Sequence, residues 1–270
     1  MKTRIITAVV LIPLLFITIW LLPEICTAVG VGLIAAAGAF ELLYVTHLVR
    51  HPRMVIYAAI MAFLVPIWCW SGMDYAVGLL GALAYFALLF AEMMYDHIKM
   101  SFEKVAMTFV AGLVMPLMLS GIVRILMTRL GRIVILVPFL MAFLPDSGAY
   151  FVGKFFGRYK LAPVISPNKT IEGFVGGIFA GIISMVLYGL ILQLGFGRAV
   201  NYIYAVVYGL VGALAATFGD LCFSVVKRHT GIKDYGSIFP GHGGILDRFD
   251  SVMVVAPLAE ALLILIPFVR

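Results

Sequence analysis

The chain has 270 residues, of which 64% are hydrophobic and only 12% charged, with a net charge of +6 and a mean hydropathy of +1.13. About a quarter of the residues in a soluble globular domain are charged, so that class is excluded. Runs of about 20 apolar residues recur throughout, each long enough to cross a bilayer as a helix, and they lack the strand-like alternation of a transmembrane barrel. The expected fold is an all-α polytopic membrane protein.

In chain order, about nine spans are expected. They are Ile5 to Leu22, Ile25 to Val45, Met54 to Trp70, Tyr75 to Met94, Val105 to Leu126, Ile133 to Phe151, Phe174 to Leu194, Tyr202 to Phe223 and Ser251 to Val269. The first follows Lys2 and Arg4. Its apolar stretch is longer than a signal-peptide core and no A-x-A site follows, so it reads as a retained span. With the N-terminus inside, only Arg124, Arg129, Arg132, Arg198 and Arg270 of the 19 Lys and Arg residues fall on outer segments. That bias predicts a cytoplasmic N-terminus and an external C-terminus, with Arg124, Arg129 and Arg132 either capping a helix end or touching outer-leaflet phosphates. The positive net charge suits anionic lipid and anionic substrate alike; no nucleic-acid partner is expected. Cys26, Cys69 and Cys222 lie in apolar spans without metal-ligand spacing and read as small buried hydrophobes.

The character of the chain changes near residue 140. Residues 1–140 read as a membrane scaffold whose acids Glu41 and Glu92 sit near helix ends, where they snorkel or cap. Residues 141–270 read as the catalytic membrane region, with longer cytoplasmic loops rich in Gly, Pro, Lys and Asn. In PDSGAYFVGKFFGR, Pro145 to Arg158, Asp146 interrupts an apolar run, either as a polar notch near the membrane or as a hydrogen-bonded residue at a helix kink. In SPNKTIEG, Ser166 to Gly173, Thr170 is placed to cap the next helix, Glu172 sits in its first turn, and Lys169 stands ahead as a phosphate partner. A well-capped helix start with a snorkelling Lys is the other reading.

The richest segment is GDLCFSVVKRHTGIKDYGSIFPGHGGILDRFD, Gly219 to Asp250. Asp220, Ser224 and Lys227 share one face at the cytoplasmic end of a helix. A carboxylate in an apolar span marks a site by default, although an N-cap or a satisfied interior residue would read the same way. The glycines at 231, 236, 241, 243 and 244 form a loop whose backbone N–H groups can approach an anion, and Lys233, His242 and Arg248 add cationic donors. The loop leads into a helix N-terminus, where anions are favoured; a structural re-entrant turn remains open. Asp247 and Asp250 lie three apart on one helical face. They could serve only the macrodipole. Together with Asp220 at the same depth they also suit Mg²⁺, and the surplus of acids suggests a second cation, divalent or monovalent.

The run S-x-x-K-R-x4-K-D-x-G-x3-P-G-H-G-G-I-L-D-R-F-D, beginning at Ser224 and ending at Asp250, resembles the signature of the phosphatidate cytidylyltransferases, or CDP-diacylglycerol synthases. SPNKTIEG resembles the family element SPKKTWEG, with Asn168 for Lys and Ile171 for Trp, so position 168 receives no charge role. PDSGAYFVGKFFGR resembles the element D-x-x-A-Y-x-x-G-[KR]-x-x-G-[RK]. The likeness covers the C-terminal half; the first 140 or so residues match only in hydropathy and length. It implies Mg²⁺-dependent reaction of CTP with phosphatidate at the cytoplasmic leaflet of the cell (inner) membrane, giving CDP-diacylglycerol and pyrophosphate. A nine-span or similar architecture and a homodimer are implied as well.

The residues suit that chemistry. A phosphate monoester is already ionised at neutral pH, so no general base is required, and the obstacle is bringing two polyanions together. The expected roles place Asp220, Asp247 and Asp250 on the metal. Lys227, Lys233, His242, Arg248 and the N–H groups of Gly243 and Gly244 face the CTP phosphates, and Lys169 and Ser224 face phosphatidate. Asp146, Thr170 and Glu172 support. A CTP-dependent lipid-alcohol kinase, the competing enzyme class, must activate a neutral hydroxyl and would be expected to carry a base. An ion-coupled transporter would spread polar residues across mid-membrane on several helices, where only Glu260 stands.

Overall fold

The computed structural model describes residues 17–72, 74–237 and 243–270. Most of the first expected span, and His242 with Gly241, lie outside the described residues. Seven described helices are long and apolar enough to cross a membrane: Glu24–Val45, Pro52–Ser71, Tyr75–Tyr95, Phe102–Leu126, Gly131–Phe156, Ile171–Phe196 and Tyr202–His229. Each coincides with one of the expected spans, and the chain is a multi-pass membrane protein. The ninth expected span is also helical, Leu246–Leu265, but Asp247, Arg248, Asp250 and Glu260 keep it out of that set.

The helices are named α1 (Glu24–Phe40, prolonged by a π turn over Glu41–Val45), α2 (Pro52–Ser71), α3 (Tyr75–Tyr95) and α4 (Phe102–Leu126, with a second π turn at Val110–Val114). Then come α5 (Val137–Phe156), the antiparallel pair β1 (Lys160–Ala162) and β2 (Ser166–Thr170), α6 (Ile171–Phe196), α7 (Tyr202–His229) and α8 (Leu246–Leu265). Two compact units result. One comprises Met1–Arg132 with His229–Phe249, the other Ile133–Arg228 with Asp250–Arg270. The first boundary between the units falls after Arg132, and the chain returns to the first unit for the stretch from His229 to Phe249.

In the first unit α1 and α2 approach closely because Gly32 has no side chain; a Cβ there would lie 2.8 Å from the Phe63 carbonyl oxygen. Arg124 donates both terminal nitrogens to the Leu117 carbonyl at 3.1 Å, so it caps within α4. Glu92 accepts from the Tyr57 hydroxyl at 2.9 Å and pairs with Arg53.

The second unit is built on small residues. Gly173, Gly177 and Gly181 repeat every fourth position along α6 and are buried. A Cβ on Gly177 would lie 2.9 Å from the Pro145 carbonyl, and one on Gly181 would lie 2.7 Å from the Gly209 carbonyl. Such stripes let backbones touch where lipid offers no hydrophobic drive for association. Packed in this way, α5 stays helical through Pro145 and Asp146, as a span from Ile133 to Phe151 requires. Gly181→Val should overpack the α6–α7 contact and cost about 1–3 kcal/mol, read as a lower thermal midpoint in detergent. The outward-facing Ile183→Val should leave that midpoint in place.

Candidate active site

Four elements of the second unit, α5, β2, α7 and α8, place charged side chains together, and α6 supports them. Thr170 ends β2 and caps α6, its Oγ1 accepting from the Gly173 N–H at 3.1 Å. Glu172 in the first turn accepts from the Arg158 N–H at 3.0 Å and the Tyr159 N–H at 3.3 Å, fixing the chain as it leaves α5. These two bonds hold the β1–β2 hairpin against the start of α6. SPNKT is therefore strand rather than simple helix lead-in. Lys169, on β2, forms an ion pair with Asp220 of α7. Arg228, near the end of α7, donates its Nε to the Ile165 carbonyl at 3.1 Å, securing the other side of the hairpin.

On α7, Ser224 and Lys227 are buried on the same side as Asp220. Close approach of α7 to α8 is again set by glycine: a Cβ on Gly219 would sit 2.9 Å from the Asp250 carbonyl. Asp250 is buried at 6% exposure, and its Oδ1 accepts from the Ser251 N–H at 2.7 Å. The Ser251 hydroxyl donates to Asp146 Oδ2 at 3.2 Å and lies 3.4 Å from Asp250 Oδ1. Asp250 feels the charges of Asp220, Lys227 and Asp146, and Asp146 those of Lys169 and Asp220. Three carboxylates thus face two ammonium groups, an excess of negative charge in a poorly solvated place. Oxygen donors with uncompensated charge fit a hard cation such as Mg²⁺, which takes one or two carboxylates and completes its shell with phosphate oxygens or water. Among the described residues no three acidic, His or Cys side chains form a ready ligand set.

In the sequence Ser251 is only the first residue of an expected span. Nothing in its local pattern distinguishes it from other serines, and its part depends on α5 lying beside α8. Glu172, expected among the ligand-orienting residues, is committed to two backbone amides outside the cluster.

The remaining expected residues belong to the first unit. Asp247 Oδ2 accepts from the Tyr235 N–H at 2.7 Å and the Gly244 N–H at 3.0 Å. One of the amides expected to meet an anion is therefore engaged by this carboxylate. Gly243 adopts φ +88°, which favours glycine. Lys233 and Arg248 are exposed, as donors for a soluble polyanion need to be.

A sequence profile of the Cytidylyltransferase family matches residues 2–266. Proteins named phosphatidate cytidylyltransferase from Staphylococcus aureus, Staphylococcus epidermidis and Staphylococcus saprophyticus are 52%, 50% and 48% identical to this chain over 130 residues. Each alignment covers 48% of this chain and 48% of the relative, so the chain matches about half the length of these curated relatives.

Ser251→Ala should remove the hydroxyl between Asp146 and Asp250 and lower stability by about 1–3 kcal/mol, measured by thermal unfolding in detergent. Ser251→Thr, which keeps the hydroxyl, should recover most of that loss.

Proposed function

The chain belongs to the Cytidylyltransferase family, and on that premise we propose that it transfers the cytidylyl group of CTP to phosphatidate, yielding CDP-diacylglycerol and pyrophosphate. The observation that carries this reading is the cluster of Asp146, Lys169, Asp220, Lys227 and Asp250 around Ser251. It is an ionic site, suited to a nucleophile that is already an anion. A phosphate oxygen of phosphatidate forms the new bond to the α-phosphorus of CTP. The bond from that phosphorus to the bridging oxygen of the β-phosphate breaks, and its electron pair leaves with pyrophosphate.

Asp220 and Asp250 would hold Mg²⁺, which supplies Lewis-acid neutralisation of the phosphate oxygens. Asp247, expected beside them as a ligand, has one oxygen engaged by loop amides, and Asp247→Asn tests whether it also serves the metal. Lys227 neutralises charge gathering on the reacting phosphates, and Lys233 and Arg248 attract the triphosphate from solution. Lys169 exchanges its partner, Asp220, for the phosphatidate headgroup, with Ser224 as a neighbouring donor. A second cation would take up the carboxylate charge that Mg²⁺ leaves. We further propose nine spans, a homodimer, and a site on the cytoplasmic side of the cell (inner) membrane, following the Lys and Arg bias.

The deciding assay uses the purified full chain in detergent with Mg²⁺, labelled CTP and phosphatidate. Release of pyrophosphate and formation of a nucleotide-linked lipid are expected. CTP consumption only with a lipid alcohol, with CDP as product, would overturn the assignment. Asp220→Asn should lower kcat by at least about a hundredfold while the protein elutes and melts as before. For orientation, a single cysteine at position 233 in a background lacking Cys26, Cys69 and Cys222 should react with an impermeant maleimide only in inside-out vesicles.

A further inference from the structure

One buried acid takes no part in the chemistry above. Glu41 is 1% exposed and opens the π turn at the end of α1. Its Oε1 accepts from the Ile245 N–H at 2.9 Å and its Oε2 from the Leu246 N–H at 2.8 Å, across 204 and 205 residues of chain. Those are the amides at the start of α8. Amides at a helix start have no acceptor within the helix. Glu41 supplies both acceptors and places negative charge against the positive end of the helix. Single π turns of this kind, which re-aim a side chain, occur often at functional sites.

The glycines beside it are explained by the same carboxylate. A Cβ on Gly236 would come within 2.5 Å of Glu41 Oε1, and one on Gly244 within 2.5 Å of Oε2. Both belong to the glycine-rich segment whose residue types alone suggest an anion cradle. Here the anion against Gly236 and Gly244 is the protein's own. Asp247 works on the same segment from α8, taking the Tyr235 and Gly244 amides. Two carboxylates therefore grip the flanks of the segment carrying Lys233 and Arg248.

We propose that Glu41 is a positioning residue for cytidylyl transfer: it fixes the start of α8 and the glycines at 236 and 244, and so sets where Lys233 and Arg248 meet the nucleotide. The proposal rests on the reaction assigned above. It makes an N-terminal membrane helix part of the apparatus that recognises CTP, although Glu41 itself touches no substrate.

Glu41→Gln keeps the shape but offers one oxygen and one NH₂, so one of the two amides loses its acceptor. The expected result is a KM for CTP raised about tenfold, with the KM for phosphatidate within about twofold of the unaltered protein. Hydrogen exchange without substrate should show lost protection at Ile245 or Leu246. Glu41→Asp, still able to offer two oxygens, should recover part of the CTP affinity. A cycle with Gly236→Ala adds a check: the alanine should be damaging alone and nearly neutral in a Glu41→Ala background, where its obstacle is gone. Equal loss in both KM values together with a lower melting point would make Glu41 a fold residue only and overturn the proposal, as would additive effects in the cycle. If the unaltered protein consumes no CTP, the assigned reaction falls and the positioning role with it. The exchange data and the cycle then report separately whether Glu41 holds this segment.

Discussion

Burying an ionised carboxylate costs several kcal/mol unless partners offset it, and the second unit gathers Asp146, Asp220 and Asp250 within electrostatic reach of one another. Much of the surrounding architecture can be understood from that constraint. The glycines at 177, 181, 209 and 219 bring four helices close enough for the acids to meet. The hairpin between α5 and α6 exists in a chain otherwise given to helix, and it carries Lys169 to Asp220. Lys227 is buried beside them. The helices create the charge problem, and the cations on β2 and α7 make it tolerable. What remains uncompensated is a surplus of carboxylate charge, the feature on which the proposed cation site rests.

A related economy governs the glycine-rich loop. Backbone amides at a helix start are strong donors, and a soluble polyanion is the obvious guest. In this chain two internal carboxylates, Glu41 and Asp247, already take amides of Tyr235, Gly244, Ile245 and Leu246. These donors shape the segment, while Lys233 and Arg248 stay exposed. Ammonium and guanidinium groups on exposed positions reach further into water than amides can, which suits the capture proposed for them.

The spans were legible because hydropathy over about 20 residues is a local signal. Every expected span from Ile25 to Phe223 has its helix, and the motif residues Asp220, Ser224 and Lys227 occupy one helix as their spacing required. Three things were hidden. The close approach of α6 to α5 at Pro145 depends on Gly177 and Gly181, a contact that no reading of the Pro-Asp pair contains. The strand character of SPNKT depends on pairing with Lys160 to Ala162. Glu41 was visible only as an acid near a helix end, since its partners lie more than 200 residues away. Hydrogen bonds across such separations leave no periodicity to detect.

Ser251 stands between two acids with a single hydroxyl proton. Its oxygen is 3.2 Å from Asp146 and 3.4 Å from Asp250, yet one O–H can point only one way at a time. Two chemically alike groups are thereby made inequivalent: whichever one the serine turns from must draw positive charge from elsewhere. A tiny rotation about one side-chain bond thus decides which carboxylate the hydroxyl serves, while Asp250 keeps the Ser251 N–H in either case.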